Sequence, residues 1–447
     1  MDPTTLAIAV LAGLLILLFL RVPIAFALCA VSIIGMFIIF AWPPGGAFNP
    51  ARAMRPVQAF LGTDPFSFIK TYTFTMVPLF IVLGHVAHKA RFTTDLFYTI
   101  RILLPRLPGG LAIASVVGCA GFSSITGSSM ACASAMGRIA VPEMLRFGYS
   151  KSLATASVAA GGTLGSLIPP SLVLVLYGVF TEQSIGKLFV AGILPGLISV
   201  VGYVIIVLVW VKARPEAAPE NHITATGREQ LQALLRIWPI TLIAIIVIGG
   251  VYTGILTATE SAAVAAGVTI VIGFLLKRLT WEGFWDAVRE TTFQCAIIFV
   301  LAIGAKLMVS FVGITGIASD LVAWTNAQNF SPALVLFMIC AMYLILGTFL
   351  DAIGILLLTL PLAVPIIETL GYDLIWFGII IVKLIEVGLM TPPVGINVFV
   401  IKSVVGDAVP LNQIFKGCIL FIMSDLVVLY LLIAFPIISL LLPGTMF

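Results

Sequence analysis

The segment Gly165-Ser-Leu-Ile-Pro-Pro170 returns later in the chain as Gly388-Leu-Met-Thr-Pro-Pro393, an offset of 393 − 170 = 223 residues. Each copy places two adjacent prolines inside a long apolar run. Proline lacks a backbone N–H and clashes with the preceding turn, so each pair predicts an unwound point in a helix. Two such breaks in similar surroundings indicate that the chain repeats itself.

The same offset relates other segments that flank the two breaks. Ile139-Ala-Val-Pro142 matches Leu362-Ala-Val-Pro365, and Phe147-Gly-Tyr149 matches Leu370-Gly-Tyr372, with 365 − 142 and 372 − 149 both equal to 223. Internal repeats with paired broken helices are typical of secondary transporters, whose binding sites usually lie at the breaks. The repeat therefore predicts both an architecture and the place of the site.

The composition assigns the chain to membrane proteins. Hydrophobic residues make up 61% of the 447 residues and charged residues only 9%, whereas a soluble domain carries about 25% charged residues. The formal charge of +4 gives no reason to expect a nucleic-acid partner. The six cysteines show no metal-binding spacing, and no nucleotide-binding loop or catalytic triad is visible. We therefore expect no enzymatic activity and no cofactor, apart from a coupling ion.

Ten apolar runs are long enough to cross a bilayer, which predicts an all-α polytopic protein. They occur at about 4–20, 23–41, 72–88, 152–180, 187–211, 237–252, 255–276, 293–313, 374–403 and 410–441. The Gly- and Pro-rich pairs at about 110–146 and 332–367 are predicted to be re-entrant helical hairpins. Each precedes a broken span, at 152–180 or at 374–403. Irregular backbone at membrane depth requires cover by protein or by a wet cavity.

The distribution of basic residues predicts the orientation. With the N-terminus outside, 17 of the 23 Lys and Arg residues fall on the cytoplasmic side and four fall outside, while Lys306 and Lys383 lie within spans. This is a clear positive-inside bias. It places both termini outside and inverts residues 1–212 relative to residues 237–447. The linker at 213–236 is then cytoplasmic, and the amphipathic segments 93–105 and 281–292 are predicted to lie along the interface.

The first hairpin tip reads Gly121-Phe-Ser-Ser-Ile-Thr-Gly-Ser-Ser129 and holds five hydroxyl residues. Ser and Thr favour turns and helix caps, because their side chains compete for backbone groups. A turn here offers hydroxyl and carbonyl oxygens that suit Na⁺, and free N–H groups that suit a carboxylate. The alternative is helix packing by small residues.

Two cation sites follow, one in each half. The prolines free the carbonyls of Gly165 and Ser166 in one half and of Gly388 and Leu389 in the other. The predicted cation-binding residues are Ser124, Thr126, Gly127, Ser128, Gly165 and Pro169 in the first half, and Gly347, Asp351, Gly388, Thr391 and Pro392 in the second. The predicted substrate-binding residues are Ser129, Ser171, Gly395 and Asn397. The alternative for each break is a kinked structural helix.

Ionisable residues at membrane depth are functional hypotheses by default. Asp351 corresponds to Ser128 in the repeat and could balance a cation, and Glu260 could cap the start of its helix. Lys383 and Glu386 share one helix face and are predicted to form a structural ion pair. Asp425 and Lys306 are lone charges whose partners the sequence does not name.

With these residues the chain resembles the large membrane subunit, of the DctM type, of tripartite ATP-independent periplasmic (TRAP) transporters. The resemblance covers nearly the whole chain. The motifs that carry it are Thr126-Gly-Ser128, Gly165-Ser-Leu-Ile-Pro-Pro-Ser171, Thr257-Ala-Thr-Glu260, Phe349-Leu-Asp351 and Leu389-Met-Thr-Pro-Pro-Val-Gly-Ile-Asn397.

The resemblance implies scaffold and transport domains that work as an elevator in the bacterial inner membrane. It also implies Na⁺-driven uptake of a small organic acid, such as a dicarboxylate or a sugar acid. The implied partners are a small four-helix membrane subunit and a periplasmic substrate-binding protein. Family members often carry an acidic residue where Cys132 stands here, so this chain departs from the family at that position.

Two other functions stay open. One is a stand-alone Na⁺/organic-anion symporter that needs no binding protein. The other is a channel or a structural membrane protein, which seldom needs inverted repeats with two hairpins.

Overall fold

The computed structural model describes residues 2–104, 107–219 and 226–446, which form α-helices with short connections and no strand. The predicted all-α class is confirmed. Residues 220–225 of the predicted linker, Pro105 at the end of the first amphipathic segment and Arg106 after it lie outside the described residues.

The helices up to the middle of the chain contain the first predicted hairpin and the first broken span. They are α1 Pro3–Phe19, α2 Ile24–Ala41, α3 Pro50–Ile69, α4 Met76–Lys89, α5 Phe92–Leu103, α6 Gly110–Thr126, α7 Ser129–Arg146, α8 Lys151–Leu167, α9 Leu172–Phe180, α10 Ile185–Ala213 and α11 Gly227–Arg236.

The remaining helices contain the second hairpin and the second broken span. They are α12 Trp238–Ala244, α13 Gly250–Tyr252, α14 Ala258–Leu275, α15 Trp281–Thr315, α16 Ile317–Ala327, α17 Pro332–Gly347, α18 Ala352–Thr369, α19 Leu374–Met390, α20 Ile396–Val405, α21 Leu411–Ala434 and α22 Ile437–Leu440. A π-helical segment, Ile245–Gly249, joins α12 to α13.

Seven of the described helices are long and apolar enough to cross a membrane, or nine if each of two bent helix pairs counts as one span. The predicted hairpins correspond to α6–α7 and α17–α18, and the predicted broken spans to α8–α9 and α19–α20. The chain is thus a multi-pass membrane protein. The ten crossings, their orientation and the inverted repeat stay predictions.

Three features differ from the sequence expectations. Residues 50–69, for which no element is predicted, form α3, which is capped by Asn49 and contains Pro56 and Pro65. The segment 281–292 continues into the following span as one helix of 35 residues, α15. The α5 helix buries Phe92, Leu96 and other side chains against protein, so it is not a purely interfacial helix.

The chain forms two compact units. Unit one comprises residues up to Thr75, Thr292–Ala341 and Ile353–Leu374. Its core includes the close packing of Gly35 against the Phe311 ring, where an added Cβ would lie 2.6 Å from a ring carbon.

Unit two comprises Met76–Thr291, Met342–Ala352 and Ile375–Phe447. It contains the first hairpin, the tip of the second hairpin and both double-proline breaks. Within it α6 and α7 pack against α8, and α20 packs against α7 and α8. All fifteen predicted cation- and substrate-binding residues therefore belong to unit two.

Candidate functional site

The first hairpin tip is a tight turn between α6 and α7. Gly127 ends α6 in the left-handed region (φ 60°), and Ser128 caps α7 by accepting a hydrogen bond from the Ala131 N–H at 3.5 Å. A Cβ on Gly127 would lie 2.5 Å from the Pro170 carbonyl oxygen. Glycine is required here both for the backbone conformation and for the close approach of the tip to the break.

The first break separates α8 from α9 and receives this tip. The Pro169–Pro170 bond is cis, and the Leu172 N–H donates to the Gly127 carbonyl at 3.0 Å. Ser171 caps α9 and also donates its hydroxyl to the Ser166 carbonyl. One of the two carbonyls that the prolines free is therefore already hydrogen-bonded, by a residue that the sequence assigns to the substrate.

The second half brings a tip and a break together in a comparable way. The Pro392–Pro393 bond is also cis, and the Gly395 N–H donates to the Thr348 carbonyl at the second tip, with N···O 3.4 Å. A Cβ on Gly388 would lie 2.4 Å from the Gly347 Cα, so the two backbones touch. Since 395 − 172 = 223, the two N–H donors occupy corresponding positions of the predicted repeat.

Hydroxyl groups at the first tip and at the second break donate hydrogen bonds to carbonyls of their own helices. Ser124 donates to the Gly121 carbonyl at 2.7 Å, and Thr126 donates to the Phe122 carbonyl at 3.3 Å. In the second half, Thr391 donates to the Val387 carbonyl at 2.7 Å. A hydroxyl whose hydrogen is used in such a hydrogen bond presents only oxygen lone pairs to its other neighbours, as a cation ligand must.

The two breaks differ in exposure. Ser124, Thr126 and Pro169 are buried, whereas Pro392 is exposed. Asp351 is half-buried and directly precedes α18. The second half therefore combines a carboxylate with a more open break, and the first half combines hydroxyls with a closed one.

The predicted substrate residues lie at the same two places. Ser129 starts α7 and its hydroxyl contacts the hydroxyl of Ser166 in α8. Asn397, in the first turn of α20, is fully buried, and neither its side-chain oxygen nor its nitrogen has a hydrogen-bond partner among the described residues. Buried amides are normally satisfied, so this side chain is suited to meet a group from outside the protein.

Glu260 caps the start of α14, as predicted. Its carboxylate accepts from the Thr257 N–H at 2.8 Å and from the Thr257 hydroxyl at 2.9 Å, and its own N–H donates back to that hydroxyl. This capping box satisfies the first turn of the helix. It accounts for the Thr257-Ala-Thr-Glu260 motif in terms of local structure.

A buried polar chain connects the two broken spans and is only partly predicted by the sequence. Lys383 and Glu386 form the expected pair at 3.4 Å, but the Lys383 ammonium lies closer to Asp425, at 2.6 Å. The second Asp425 oxygen accepts from the Tyr203 hydroxyl at 2.7 Å. That hydroxyl lies 3.1 Å from the hydroxyl of Thr163, two residues before Gly165.

Asp425 is recognisable in the sequence as a charge inside an apolar span, but its partner is not. No spacing rule predicts the contact, because Lys383 and Asp425 lie on different helices and 42 residues apart. The sequence hints at such a pair only because two opposite charges occur inside apolar spans, where an unpaired charge is costly. Cys132, where relatives of the resembled family often carry an acid, is buried and its thiol contacts the Cys119 carbonyl at 3.5 Å.

The chain matches a known protein family over most of its length. Residues 11–438 match the family described as "Tripartite ATP-independent periplasmic transporter, DctM component". The chain is 33% identical to the C4-dicarboxylate TRAP transporter large permease protein DctM of Pseudomonas aeruginosa over 83% of this chain and 86% of that protein. It is 30% identical to the sialic acid TRAP transporter large permease protein SiaM of Vibrio cholerae over 96% of this chain and 97% of that protein.

The fold is also similar to that of a solved transporter. The crystal structure of the Alcanivorax borkumensis YdaH transporter superimposes with a TM-score of 0.64 and covers 99% of this chain and 98% of its own. The sequence identity is 12%, so the likeness concerns the fold alone.

Proposed function

This chain belongs to the DctM family of tripartite ATP-independent periplasmic transporters, and we propose that it is the permease subunit of a Na⁺-coupled importer of a small organic acid. The observation that carries the proposal is that each double-proline break is joined to a hairpin tip by an N–H to carbonyl hydrogen bond, and that the two N–H donors, Leu172 and Gly395, occupy corresponding positions of the predicted repeat. Such sites at paired broken helices bind substrates and coupling ions in secondary transporters.

Na⁺ is the proposed coupling ion because the tips and breaks offer mainly oxygen. Hard cations prefer carbonyl, hydroxyl and carboxylate ligands. The first proposed site draws on Ser124, Thr126, Gly127, Ser128, Gly165 and Pro169, and the second on Gly347, Asp351, Gly388, Thr391 and Pro392. The hydroxyls of Ser124 and Thr391 donate hydrogen bonds to helix carbonyls. This supports the assignment, because the oxygen lone pairs stay available for the ion.

The substrate is proposed to bind between the two cation sites through Ser129, Ser171, Gly395 and Asn397. The amide of Asn397 can donate two hydrogen bonds to a carboxylate, and its oxygen can accept one from a hydroxyl. Both a dicarboxylate and a sugar acid present a carboxylate, and a sugar acid also presents hydroxyl groups. The relatives named as C4-dicarboxylate and sialic acid TRAP transporter proteins are consistent with this range.

The proposed assembly contains two further components. The family description is tripartite, and the relatives are called large permease proteins, which supports a small membrane subunit and a periplasmic binding protein as partners. We place the chain in the bacterial inner membrane with both termini periplasmic, on the basis of the positive-inside bias. An elevator movement of a transport domain against a scaffold is part of the same proposal.

Reconstitution tests the proposal. The permease, its small subunit and the binding protein are placed in proteoliposomes, and uptake of a radiolabelled dicarboxylate or sugar acid is followed under an inward Na⁺ gradient. We expect uptake only with the binding protein and Na⁺. Uptake without the binding protein would favour a stand-alone symporter. Uptake that persists when K⁺ replaces Na⁺ would contradict Na⁺ coupling.

A further inference from the structure

A groove of about 890 Å³ lies in unit two where α8 begins, α10 ends and α21 begins. It is remote from the breaks, because α8 runs 17 residues from Lys151 to Leu167, or about 25 Å at 1.5 Å per residue. The orientation proposed above places this end of the helices at the cytoplasmic surface of the membrane. The groove is therefore separate from the transport site.

One end of the groove is basic. Lys151, Arg214 and Lys416 line it, and Glu216 contributes a single carboxylate, so its formal charge is +2. The first turn of α8 lies at the same end, where Ser150 caps the helix and accepts from the Leu153 N–H at 3.3 Å. N–H groups at the start of a helix have no intrahelical acceptor and favour an anion.

The other end of the groove is apolar and open to the membrane. Ile206, Leu420 and Trp210 line it, and Trp210 is only 9% exposed. Val209 of α10 and Ile419 of α21 are 59% and 53% exposed. Exposed aliphatic side chains on two membrane-spanning helices fit an acyl chain, whereas a water-soluble ligand would leave them uncovered.

We propose that this groove binds an anionic phospholipid, with its phosphate at Lys151, Arg214 and Lys416 and an acyl chain along Val209 and Ile419. Basic pockets between helices at the cytoplasmic side recognise anionic lipid headgroups by this combination. The exposed apolar side chains of Val209 and Ile419 favour a ligand with an acyl chain, which a free phosphate ion lacks. The net positive charge favours an anionic headgroup over a zwitterionic one, which carries no net charge.

The test uses the full-length protein, purified in mild detergent and depleted of lipid. Binding of phosphatidylglycerol, phosphatidylcholine and inorganic phosphate is measured separately by native mass spectrometry and by the shift in thermal unfolding temperature. We expect phosphatidylglycerol to bind and raise the unfolding temperature, phosphatidylcholine to bind much more weakly, and phosphate to have no effect. Equal effects of the two lipids, or an effect of phosphate alone, would overturn the proposal.

Variants locate the binding. The pair Lys151→Gln and Lys416→Gln should weaken phosphatidylglycerol binding about 30-fold, since each basic residue near an anionic headgroup contributes about a fivefold factor. Lys277→Gln is the matched control, because Lys277 is exposed and lies outside the groove. Both lysines of the groove are exposed, so neither change should prevent folding. Unchanged lipid affinity in the double variant would place the lipid elsewhere.

Discussion

The Lys383 ammonium nitrogen lies 2.6 Å from a carboxylate oxygen of Asp425, and both side chains are fully buried. The contact joins α19 to α21, while the hydroxyl of Ser199, 3.0 Å from the same nitrogen, ties α10 to the pair. Glu386 adds a second carboxylate at 3.4 Å. One ammonium group therefore holds together three helices around two acidic groups.

Removing this ammonium group should destabilise the protein strongly. Lys383→Met leaves the Asp425 and Glu386 carboxylates without a cation, and breaking a buried ion pair in this way costs about 3–5 kcal/mol. Asp425→Asn should cost less, because Glu386 still faces Lys383. The free energy of unfolding, measured by SDS titration in mixed micelles, checks both.

Lys306→Met is the matched control for that substitution. Lys306 lies half-buried in α15 and forms no ion pair with any residue that the structure describes. We expect it to change stability much less than Lys383→Met. Equal effects of the two substitutions would mean that the buried pair does not stabilise the fold.

The hairpin tips should determine Na⁺ affinity. Ser128→Ala and Asp351→Ala each remove a proposed cation ligand, and an unmade hydrogen bond to a charged group costs about 1.5–3 kcal/mol. The Na⁺ concentration for half-maximal uptake should rise about tenfold to a hundredfold. High Na⁺ should then partly restore uptake.

Two substitutions at exposed positions control for this experiment. Ser403→Ala and Asp407→Ala change the same residue types in and directly after α20. Both should leave the Na⁺ dependence as it is in the wild type. If the two tip variants also transport at wild-type rates with unchanged Na⁺ dependence, the tips are packing elements and the cation sites lie elsewhere.

The backbone contact between the second tip and its break should not accept a methyl group. Gly388→Ala would place a Cβ 2.4 Å from the Gly347 Cα, so one backbone segment must move. Overpacking of this kind costs about 1–3 kcal/mol. We expect loss of both thermal stability and uptake.

Gly267→Ala is the control, because an added Cβ there meets nothing within 4 Å. Alanine is the better helix former by about 0.5–1 kcal/mol, so stability should stay the same or rise. Normal uptake and stability in the Gly388 variant would show that the tip does not need to approach the break closely.

A substitution at Asn397 should weaken substrate binding without reducing the stability of the fold. Asn397→Leu replaces an amide that has no described partner with an apolar side chain of similar size. Stability should be unchanged or higher, because an unsatisfied buried polar group is removed. The KM for the organic acid should rise at least tenfold. A variant that is destabilised with an unchanged KM would make Asn397 a structural residue.

Accessibility from each side of the membrane tests the inverted orientation. Glu368 and Arg146 are both exposed, beside the corresponding Gly371 and Gly148 turns of the two predicted repeats. A cysteine at 368 should react with an impermeant maleimide from outside, and a cysteine at 146 only from inside. Five of the six native cysteines are buried, which keeps the background low. Labelling of both positions from the same side would exclude the inverted repeat.

The helix pairs on either side of the tips and the double-proline breaks could be predicted because their signals are local. Glycine at 127 and prolines at 169 and 170 disrupt a helix wherever they occur, so the tip and the break can be located without the fold. No element is predicted for residues 50–69, which form α3, because here the local signal points away from a helix. Pro56 and Pro65 suggest a loop, but the chain accommodates them within a helix that begins at Pro50.

Contacts between distant residues could not be predicted. The Lys383–Asp425 pair depends on how α19 and α21 pack, and a single sequence carries no record of that packing. The orphaned amide of Asn397 is also visible only in three dimensions, since its sequence neighbours Ile396 and Val398 are ordinary helix residues. The sequence therefore predicts residues for the candidate site but not the buried polar network beside them.

The unbroken length of α15 has a consequence for the surrounding lipid. At 1.5 Å per residue its 35 residues extend about 52 Å, whereas the hydrocarbon core of a bilayer is about 30 Å thick. The part of the helix that exceeds the hydrocarbon thickness lies in its first third. Trp281 and Trp285 are exposed there, beside Glu282 and Asp286 in the sequence. Indole rings favour the headgroup layer, so we expect this third to lie at the membrane surface. The helix therefore extends well beyond the hydrocarbon core of a membrane without an interruption in its turns.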